Sequence, residues 1–269
     1  MKLFKGFFSE RKAEAWSCIF LFAYSKKVCG QPAAKTLMLQ ILYEDRDIIV
    51  AVKPAGTESQ SARRFAPDMV SELRKHINKL STTSSTGRAE PYVGVIHRLD
   101  KPVGGVMVYA KTQKAAAALS KQVREGNLKK TYCAILCGKP VDSVGKYTDF
   151  LRKDGKNNYS QIVDKSVDES KRAELSYKIL ETRIVDGQEL SLAEIQLHTG
   201  RHHQIRVQFA GHGTPLLGDT KYGKNRQNKT FQSNSLALWS MELTFFHPET
   251  GEAVTFSAKP SELLRIFYH

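Results

Sequence analysis

Residues 94–111 read GVIHRLDKPVGGVMVYAK, and this stretch gives the clearest indication of the fold. Its two apolar runs, at 93–96 and 106–110, predict two β-strands. Between the runs, Pro102 stiffens the chain, and the glycines at 104 and 105 allow backbone conformations that other residues avoid. The stretch therefore predicts a firm connection between two strands that presents Asp100.

Strand and helix patterns continue upstream of this stretch. Two short apolar runs at 39–43 and 48–52 predict a β-hairpin that ends in a turn at 53–56. Apolar residues at helical spacing predict a helix over 69–80, for which Pro67 and Asp68 supply the start signal.

The downstream patterns are mostly those of strands. Thr112 is a candidate N-cap for a helix with an apolar face. Strands are predicted at 131–136, 175–181, 190–197, 236–246 and 253–257, a helix at 201–210, and edge strands with loops within 138–170. Strands outnumber helices and follow one another in hairpin-like succession. The sequence therefore predicts an α+β fold with a mainly antiparallel sheet.

Composition and charge narrow the class of protein. The chain has 269 residues, of which 41% are hydrophobic, and this excludes a mostly disordered protein. The formal net charge is +14, which favours a polyanionic partner, with nucleic acid before an anionic membrane. A soluble protein with a merely basic surface is the alternative. No apolar stretch approaches the roughly 20 residues that span a bilayer.

The four cysteines, at positions 18, 29, 133 and 137, form no C-x-x-C pair. No zinc site is therefore predicted, and few cysteines in a chain of this size favour a reduced, cytoplasmic protein.

Residues 1–36 differ from the rest of the chain. An apolar run at 15–24 is too short to span a membrane, and two lysines stand where a signal peptide would have its cleavage site. We interpret 1–36 as an N-terminal appendage to a domain over 37–269, or as an extension ahead of a true start at Met38.

Asp100 is the first candidate for chemistry. It follows a predicted strand, where a rigid scaffold can present a reactive group. The neighbouring charges of Arg98 and Lys101 predict that its carboxylate stays ionised, as a nucleophile or a base requires. The alternative is a turn aspartate in a surface ion pair.

Residues 199–206 (TGRHHQIR) form a second candidate site. On a helix, His202 and Arg206 share a face, and so do Arg201 and Gln204. Arginine, histidine and glutamine together suit phosphates and base edges. The alternative is a helix whose polar residues only face water.

A third candidate is the glycine-bounded loop at 217–223 (LGDTKYG), where Lys221 and Tyr222 suit a phosphate and a stacked base. Taken alone, the loop fits a plain turn better than a binding site. A metal site is not predicted, because adjacent His202 and His203 would point to different faces and no carboxylate or cysteine nearby completes a set.

Four segments in order resemble the motifs of the RluA family of RNA pseudouridine synthases. They are 41–56 (ILYEDRDIIVAVKPAG), 94–111 (GVIHRLDKPVGGVMVYAK), 129–138 (KKTYCAILCG) and 197–223 (LHTGRHHQIRVQFAGHGTPLLGDTKYG). The resemblance runs from about residue 39 to residue 260, and 1–36 match nothing in the pattern.

The resemblance implies a central, mostly antiparallel sheet in two halves, with flanking helices and a catalytic cleft. It implies isomerisation of uridine to pseudouridine in tRNA or rRNA by a monomer with no metal, no organic cofactor and no obligate protein partner. Family members with a separate RNA-binding module carry an N-terminal S4-like domain. Only about 38 residues precede the opening motif here, so no S4 domain is expected.

The resemblance also assigns roles. Asp100 would be the catalytic aspartate, Tyr132 would pack on the target base and move a proton, and Arg206, rather than Arg201, would pair with Asp100. Arg98 would fill the space that the flipped nucleotide leaves. Further substrate contacts are expected from His97, Arg201, Gln204, Lys221 and Tyr222.

Two other functions compete with this interpretation. One is an inactive RNA-binding or RNA-folding protein on the same fold, and the other is a metal-dependent nuclease that uses the histidines and aspartate. The presence of all the motif residues argues against lost catalysis.

Overall fold

The computed structural model describes residues 39–61, 68–80, 90–223 and 235–268, so the prediction for 1–36 lies outside the described residues. Along this part of the chain the elements are β1 (Gln40–Glu44), β2 (Ile48–Lys53), α1 (Met69–Leu80), β3 (Gly94–Val95), β4 (Gly104–Ala110), α2 (Gln113–Glu125), β5 (Lys129–Cys137), β6 (Val144–Asp154), β7 (Tyr159–Val163), β8 (Lys171–Val185), β9 (Gln188–Leu197), α3 (Gln204–Gly211), β10 (Leu238–Phe246), β11 (Ala253–Ser257) and α4 (Ser261–Tyr268). None of the helices described is long and apolar enough to cross a membrane.

The strands of the described residues form one sheet. Its order is β1-β2-β4-β10-β5-β9-β8-β6-β7, with β3 added beside β4 and β11 beside β10. The pair β4–β10 is parallel, and the other pairs are antiparallel. The prediction of an α+β fold with a mainly antiparallel sheet is confirmed. Strands β6 and β7 lie at one edge, as expected of residues 138–170.

One half of the sheet carries the larger core. Every residue of β2 and β4 is buried, which explains why both strands read as continuous apolar runs. Helix α2 covers them, with Leu119 and Ala115 packed into the same cluster. The predicted N-cap of this helix is confirmed, since Thr112 accepts a hydrogen bond from the Ala115 amide at 3.1 Å.

Helix α3 packs on the other half of the sheet, and it starts later than predicted. Its first residue is Gln204 because His203 has a left-handed backbone with φ of 53°, which a helix cannot contain. The predicted helical faces that paired His202 with Arg206 and Arg201 with Gln204 are therefore wrong. The rings of His202 and His203 stack 3.7 Å apart instead of pointing to different faces.

Candidate active site

A cavity of about 940 Å³ lies where the connection from β3 to β4, strand β5 and the start of α3 meet. It brings together seven residues singled out from the sequence: His97, Arg98, Asp100, Tyr132, Arg201, Gln204 and Arg206. Lys221 and Tyr222 lie outside its lining.

Asp100 lies on this connection, and its side chain is 29% exposed. The residue before it is fixed by Ser59, whose hydroxyl donates to the Leu99 carbonyl at 2.9 Å and accepts from the Leu99 amide at 3.1 Å. Ser59 was not predicted from the sequence, because its partner lies 40 residues away.

The residue after Asp100 is fixed by Lys53 at the end of β2. The fully buried Lys53 ammonium donates to the carbonyls of Pro54 at 3.2 Å, Thr57 at 2.7 Å and Lys101 at 3.2 Å. Burial lowers the pKa of Lys53 to about 8, and the charge of Asp100 opposes this shift. The only sequence signal for this role is the position of Lys53 within the first motif.

Arg206 is held by two carboxylates. Its Nε and Nη2 donate to the two carboxylate oxygens of Asp219, both at 2.8 Å, and its Nη1 lies 3.5 Å from Oδ2 of Asp100. Asp219 also accepts from the amides of Lys221 and Tyr222. The sequence missed Asp219, although it lies inside the third candidate loop. The arginine is therefore oriented mainly by Asp219 and offers one nitrogen to Asp100.

The electrostatics of Asp100 differ from the sequence-based expectation. Burial raises the pKa of its carboxyl, while the charges of Arg206, His202 and Lys53 oppose that rise. The neighbours Arg98 and Lys101, from which an ionised carboxylate was predicted, are exposed and are not among the causes of the shift. Adjacency in sequence does not bring a charge close in space here.

A neutral histidine also faces Asp100. The Tyr222 hydroxyl accepts from the Ser160 amide at 2.9 Å and lies 2.7 Å from His203 Nδ1, to which it can donate its own hydrogen. The other ring nitrogen of His203, Nε2, lies 3.6 Å from Asp100 Oδ2. Burial, with the nearby charge of Arg206, lowers the pKa of His203 to about 4. Tyr222 is thus occupied within the protein and does not offer its ring to the cavity.

Tyr132 lies on β5 and is 5% exposed. Burial raises the pKa of its phenol above the ordinary value, the nearby charge of Asp100 adds to that rise, and a hydrogen bond with Ser240 opposes it. The hydroxyl therefore stays protonated at neutral pH, and the ring is a neutral aromatic surface in the cavity.

Gln204 lines the cavity but does not offer its amide to a substrate. Its oxygen accepts from the Thr199 hydroxyl at 2.8 Å and the Arg201 amide at 3.0 Å, and its nitrogen donates to the Glu174 carbonyl and to Gln208. This side chain, expected to contact substrate, is used inside the protein to brace the segment before α3.

The remaining predicted contacts lie nearer the surface. Arg98 and Arg201 are exposed, and the Arg201 Nε donates to the Arg172 carbonyl at 2.8 Å. Lys221 donates to the Asn158 carbonyl at 2.6 Å. Two guanidinium groups therefore stand at the mouth of the cavity.

Comparison with known proteins identifies the family of the chain. Residues 47–211 match the family model described as RNA pseudouridylate synthase. An uncharacterized RNA pseudouridine synthase, YlyB, of Bacillus subtilis is 34% identical over 226 residues, covering 84% of this chain and 70% of that one. The ribosomal large subunit pseudouridine synthase D of Zymomonas mobilis is 32% identical over 239 residues, covering 86% and 72%.

The fold is also similar to that of solved structures. Human RNA pseudouridylate synthase domain containing 1 superposes with a TM-score of 0.67 at 22% identity, over 85% of this chain and 86% of that one. At this identity the likeness concerns the fold alone, while the family match and the curated relatives concern the activity. The chain therefore belongs to the RluA-type RNA pseudouridine synthases, isomerases that convert uridine to pseudouridine within RNA.

Proposed function

We propose that Asp100 is the catalytic aspartate of this isomerase. The observation that carries the proposal is the convergence of Asp100, Tyr132 and Arg206 on one cavity, with the Asp100 loop fixed on both sides. Glu125, another carboxylate on the cavity wall, is exposed at the end of α2. Asp100 is the one supported by a buried arginine.

The reaction makes limited chemical demands. The bond between C1′ and N1 of uridine breaks, a bond between C1′ and C5 forms, the C5 proton leaves and N1 takes up a proton. No redox step occurs. An ionised Asp100 adds covalently or stabilises the positive character of the sugar when the base departs, as carboxylates do in glycoside cleavage. Because the pKa of Asp100 is raised, we expect activity to rise with pH around a midpoint that lies above the ordinary pKa of aspartate.

Tyr132 and the arginines act on the position of the substrate. A uridine stacked in RNA is out of reach, so the nucleotide flips out at a cost of a few kcal/mol. Tyr132 then packs on the uracil, and its protonated phenol suits this packing role better than that of a base. Arg98, exposed at the cavity, fills the space left in the RNA.

The substrate is tRNA or rRNA, and the names of the relatives favour rRNA. Those from Zymomonas mobilis and Buchnera aphidicola are named as ribosomal large subunit pseudouridine synthases D and C. We further propose that residues 37–269 act as one catalytic unit, as a monomer in the cytoplasm. The free thiols of Cys133 and Cys137 suit that reducing compartment.

The test is pseudouridine mapping of total RNA from cells with and without the protein, followed by complementation. Wild-type protein is expected to restore the lost positions and Asp100→Asn is not, because the amide is nearly isosteric but far less nucleophilic. Glu125→Gln, which neutralises the exposed carboxylate of the same cavity, is the matched control and should restore them.

Two outcomes would overturn parts of the proposal. Turnover by Asp100→Asn above about a hundredth of the wild-type rate would remove Asp100 from the catalytic role, since loss of acid–base help alone reaches that scale. Lost positions confined to tRNA would remove the rRNA assignment.

A further inference from the structure

Lys130 lines the cavity but has no part in the chemistry described above. It lies on β5 two residues before Tyr132, and both side chains line the cavity because alternate residues of a strand share a face. In the described ranges of the chain, the ion-pair contacts of Asp100 are with His203 and Arg206 and do not include Lys130.

The ammonium of Lys130 is partly buried and unpaired. Among the described residues it makes no ion pair or hydrogen bond. A methyl group placed on Gly200 would lie 3.5 Å from Nζ, so the ammonium faces a backbone with no side chain in the way. Burial lowers the pKa of Lys130, as expected of a cation that has lost water without gaining a partner.

His97 supplies a second, independent observation on this wall. It is 8% exposed, and its Nε2 accepts from the Val108 amide at 3.4 Å, so the ring proton is on Nδ1. That Nδ1 has no hydrogen-bond partner within the part of the chain that the structure describes. Burial lowers the pKa of His97 to about 3, and the charge of Lys130 contributes, so the ring is neutral at neutral pH.

Within the described residues, Lys130 is therefore an unpaired ammonium on the wall of the cavity. Buried polar groups are almost always paired, so an unpaired cation there indicates an anionic oxygen that arrives with a ligand. The rim of the same cavity is also cationic, with Arg98, Arg124 and Arg201 exposed on it. Such a wall suits the backbone of a nucleic acid, which carries a phosphate at every nucleotide.

We propose that Lys130 binds a phosphate of the RNA strand beside the uridine that enters the cavity. The proposal rests on the proposed role of Asp100 only for the place of that uridine. Lys130 positions the substrate and does not touch the reacting atoms.

The experiment measures the binding of a fluorescent twelve-nucleotide oligouridylate by anisotropy at several salt concentrations. Lys130→Gln removes the charge and keeps most of the length. It should weaken binding about tenfold, the scale of one charge-assisted hydrogen bond. It should also reduce the slope of log affinity against log salt by about 0.7, one phosphate contact on a single strand. Lys130→Arg should bind within about threefold of wild type.

Lys129→Gln is the matched control, because it removes the same charge from the next residue of β5, which is exposed. It should change affinity less than about twofold. Equal affinity and slope for Lys130→Gln and the wild type would overturn the proposal, and so would equal losses for Lys129→Gln and Lys130→Gln. If Lys130→Gln does not fold, a Lys130→Arg variant that folds but loses affinity tenfold would also overturn it. Binding needs no turnover, so an active Asp100→Asn would refute the catalytic assignment while leaving this result in place.

Discussion

The guanidinium of Arg206 contacts two carboxylates, and its contact with one is much closer than its contact with the other. The bidentate contact with Asp219 uses two nitrogens at 2.8 Å, whereas the approach to Asp100 is a single contact at 3.5 Å. The Asp219 carboxylate is fully buried, and its pKa is lowered by this pairing, against the effect of burial. The contact with Asp219 therefore fixes the orientation of the arginine independently of Asp100, the proposed catalytic aspartate.

The contact of Arg206 with Asp219 concerns stability, and its contact with Asp100 concerns the proposed catalysis, so the two effects can be tested separately. Arg206→Ala should lower the free energy of unfolding by roughly 3–5 kcal/mol, because it leaves the buried charge of Asp219 unpaired. The double variant Arg206→Ala with Asp219→Ala removes that unpaired charge, so denaturant unfolding should show part of the stability regained. Pseudouridine formation should stay low in both variants, since neither has the Arg206 guanidinium beside Asp100. Recovery of activity in the double variant would contradict the role given to Arg206.

At the scale of elements, the sequence predicts strands most accurately where all residues of the strand are buried. The runs of β2 and β4 were found because every residue is buried. Strand β8 spans Lys171–Val185, far beyond the predicted 175–181, because exposed residues such as Lys171, Arg172 and Arg183 interrupt the apolar pattern at both ends. Helix α4 was missed, since only Leu263 and Phe267 are buried on its eight residues.

The sequence predicted which residues meet at the candidate site, but it did not predict the contacts that hold them there. Motif order brought Asp100, Tyr132 and Arg206 together correctly. The partners that hold them, Lys53 and Asp219, act through contacts that span 48 and 13 residues. Such contacts depend on how the strands pair, and the pairing of strands cannot be inferred from a local sequence pattern.

The parallel pairing of β4 with β10 depends on a glycine. Gly105 has φ of 125° and pairs with Ser240, and a Cβ there would lie 2.2 Å from the Ser240 carbonyl oxygen. Gly56 also has a positive φ, of 86°, but a Cβ there would meet nothing within 4 Å. Gly56→Ala should therefore lower the free energy of unfolding by only about 1–2 kcal/mol from backbone strain.

Gly105→Ala should lower stability clearly more than Gly56→Ala in urea unfolding, because it adds a clash with backbone to the same strain. It should also reduce turnover, since the connection that carries Asp100 leads directly into β4. Equal losses of stability in the two variants would show that strain alone matters at Gly105.

Lys53, at the end of β2, makes the free energy of unfolding depend on pH. The pKa of Lys53 falls from 10.5 to about 8 on folding. Between these values the unfolded chain holds a proton that the folded protein has released, so this residue makes the free energy of unfolding rise with pH. The rise is on the order of 3 kcal/mol over the whole window.

Lys53→Met should remove that rise. The difference in unfolding free energy between wild type and Lys53→Met, measured by denaturant titration from pH 7.5 to 9.5, should grow in favour of the wild type as pH increases. Lys129→Met, at an exposed lysine, should run parallel to the wild type. Parallel curves for Lys53→Met as well would mean that folding does not lower the pKa of Lys53.

For the whole molecule, the surplus of positive charge is distributed along the chain. Residues 1–36 hold seven lysines and arginines against two acidic residues, so they carry +5 of the +14. Every motif lies after them, in a part that still carries +9. Met38–His269 forms a compact unit by itself.

A chain that starts at Met38 should therefore fold and isomerise uridine, because the sheet, the cavity and all residues assigned to the site lie within it. Its RNA affinity should fall at low salt, and its salt dependence should flatten, because fewer cations release fewer counterions from the phosphates. Full-length and truncated protein are compared side by side for RNA binding and pseudouridine formation at two salt concentrations. A truncated protein that is insoluble, or that binds RNA without isomerising it, would make 1–36 an integral part of the catalytic fold. Equal binding and equal salt dependence would instead mean that the positive charges of 1–36 do not meet the RNA.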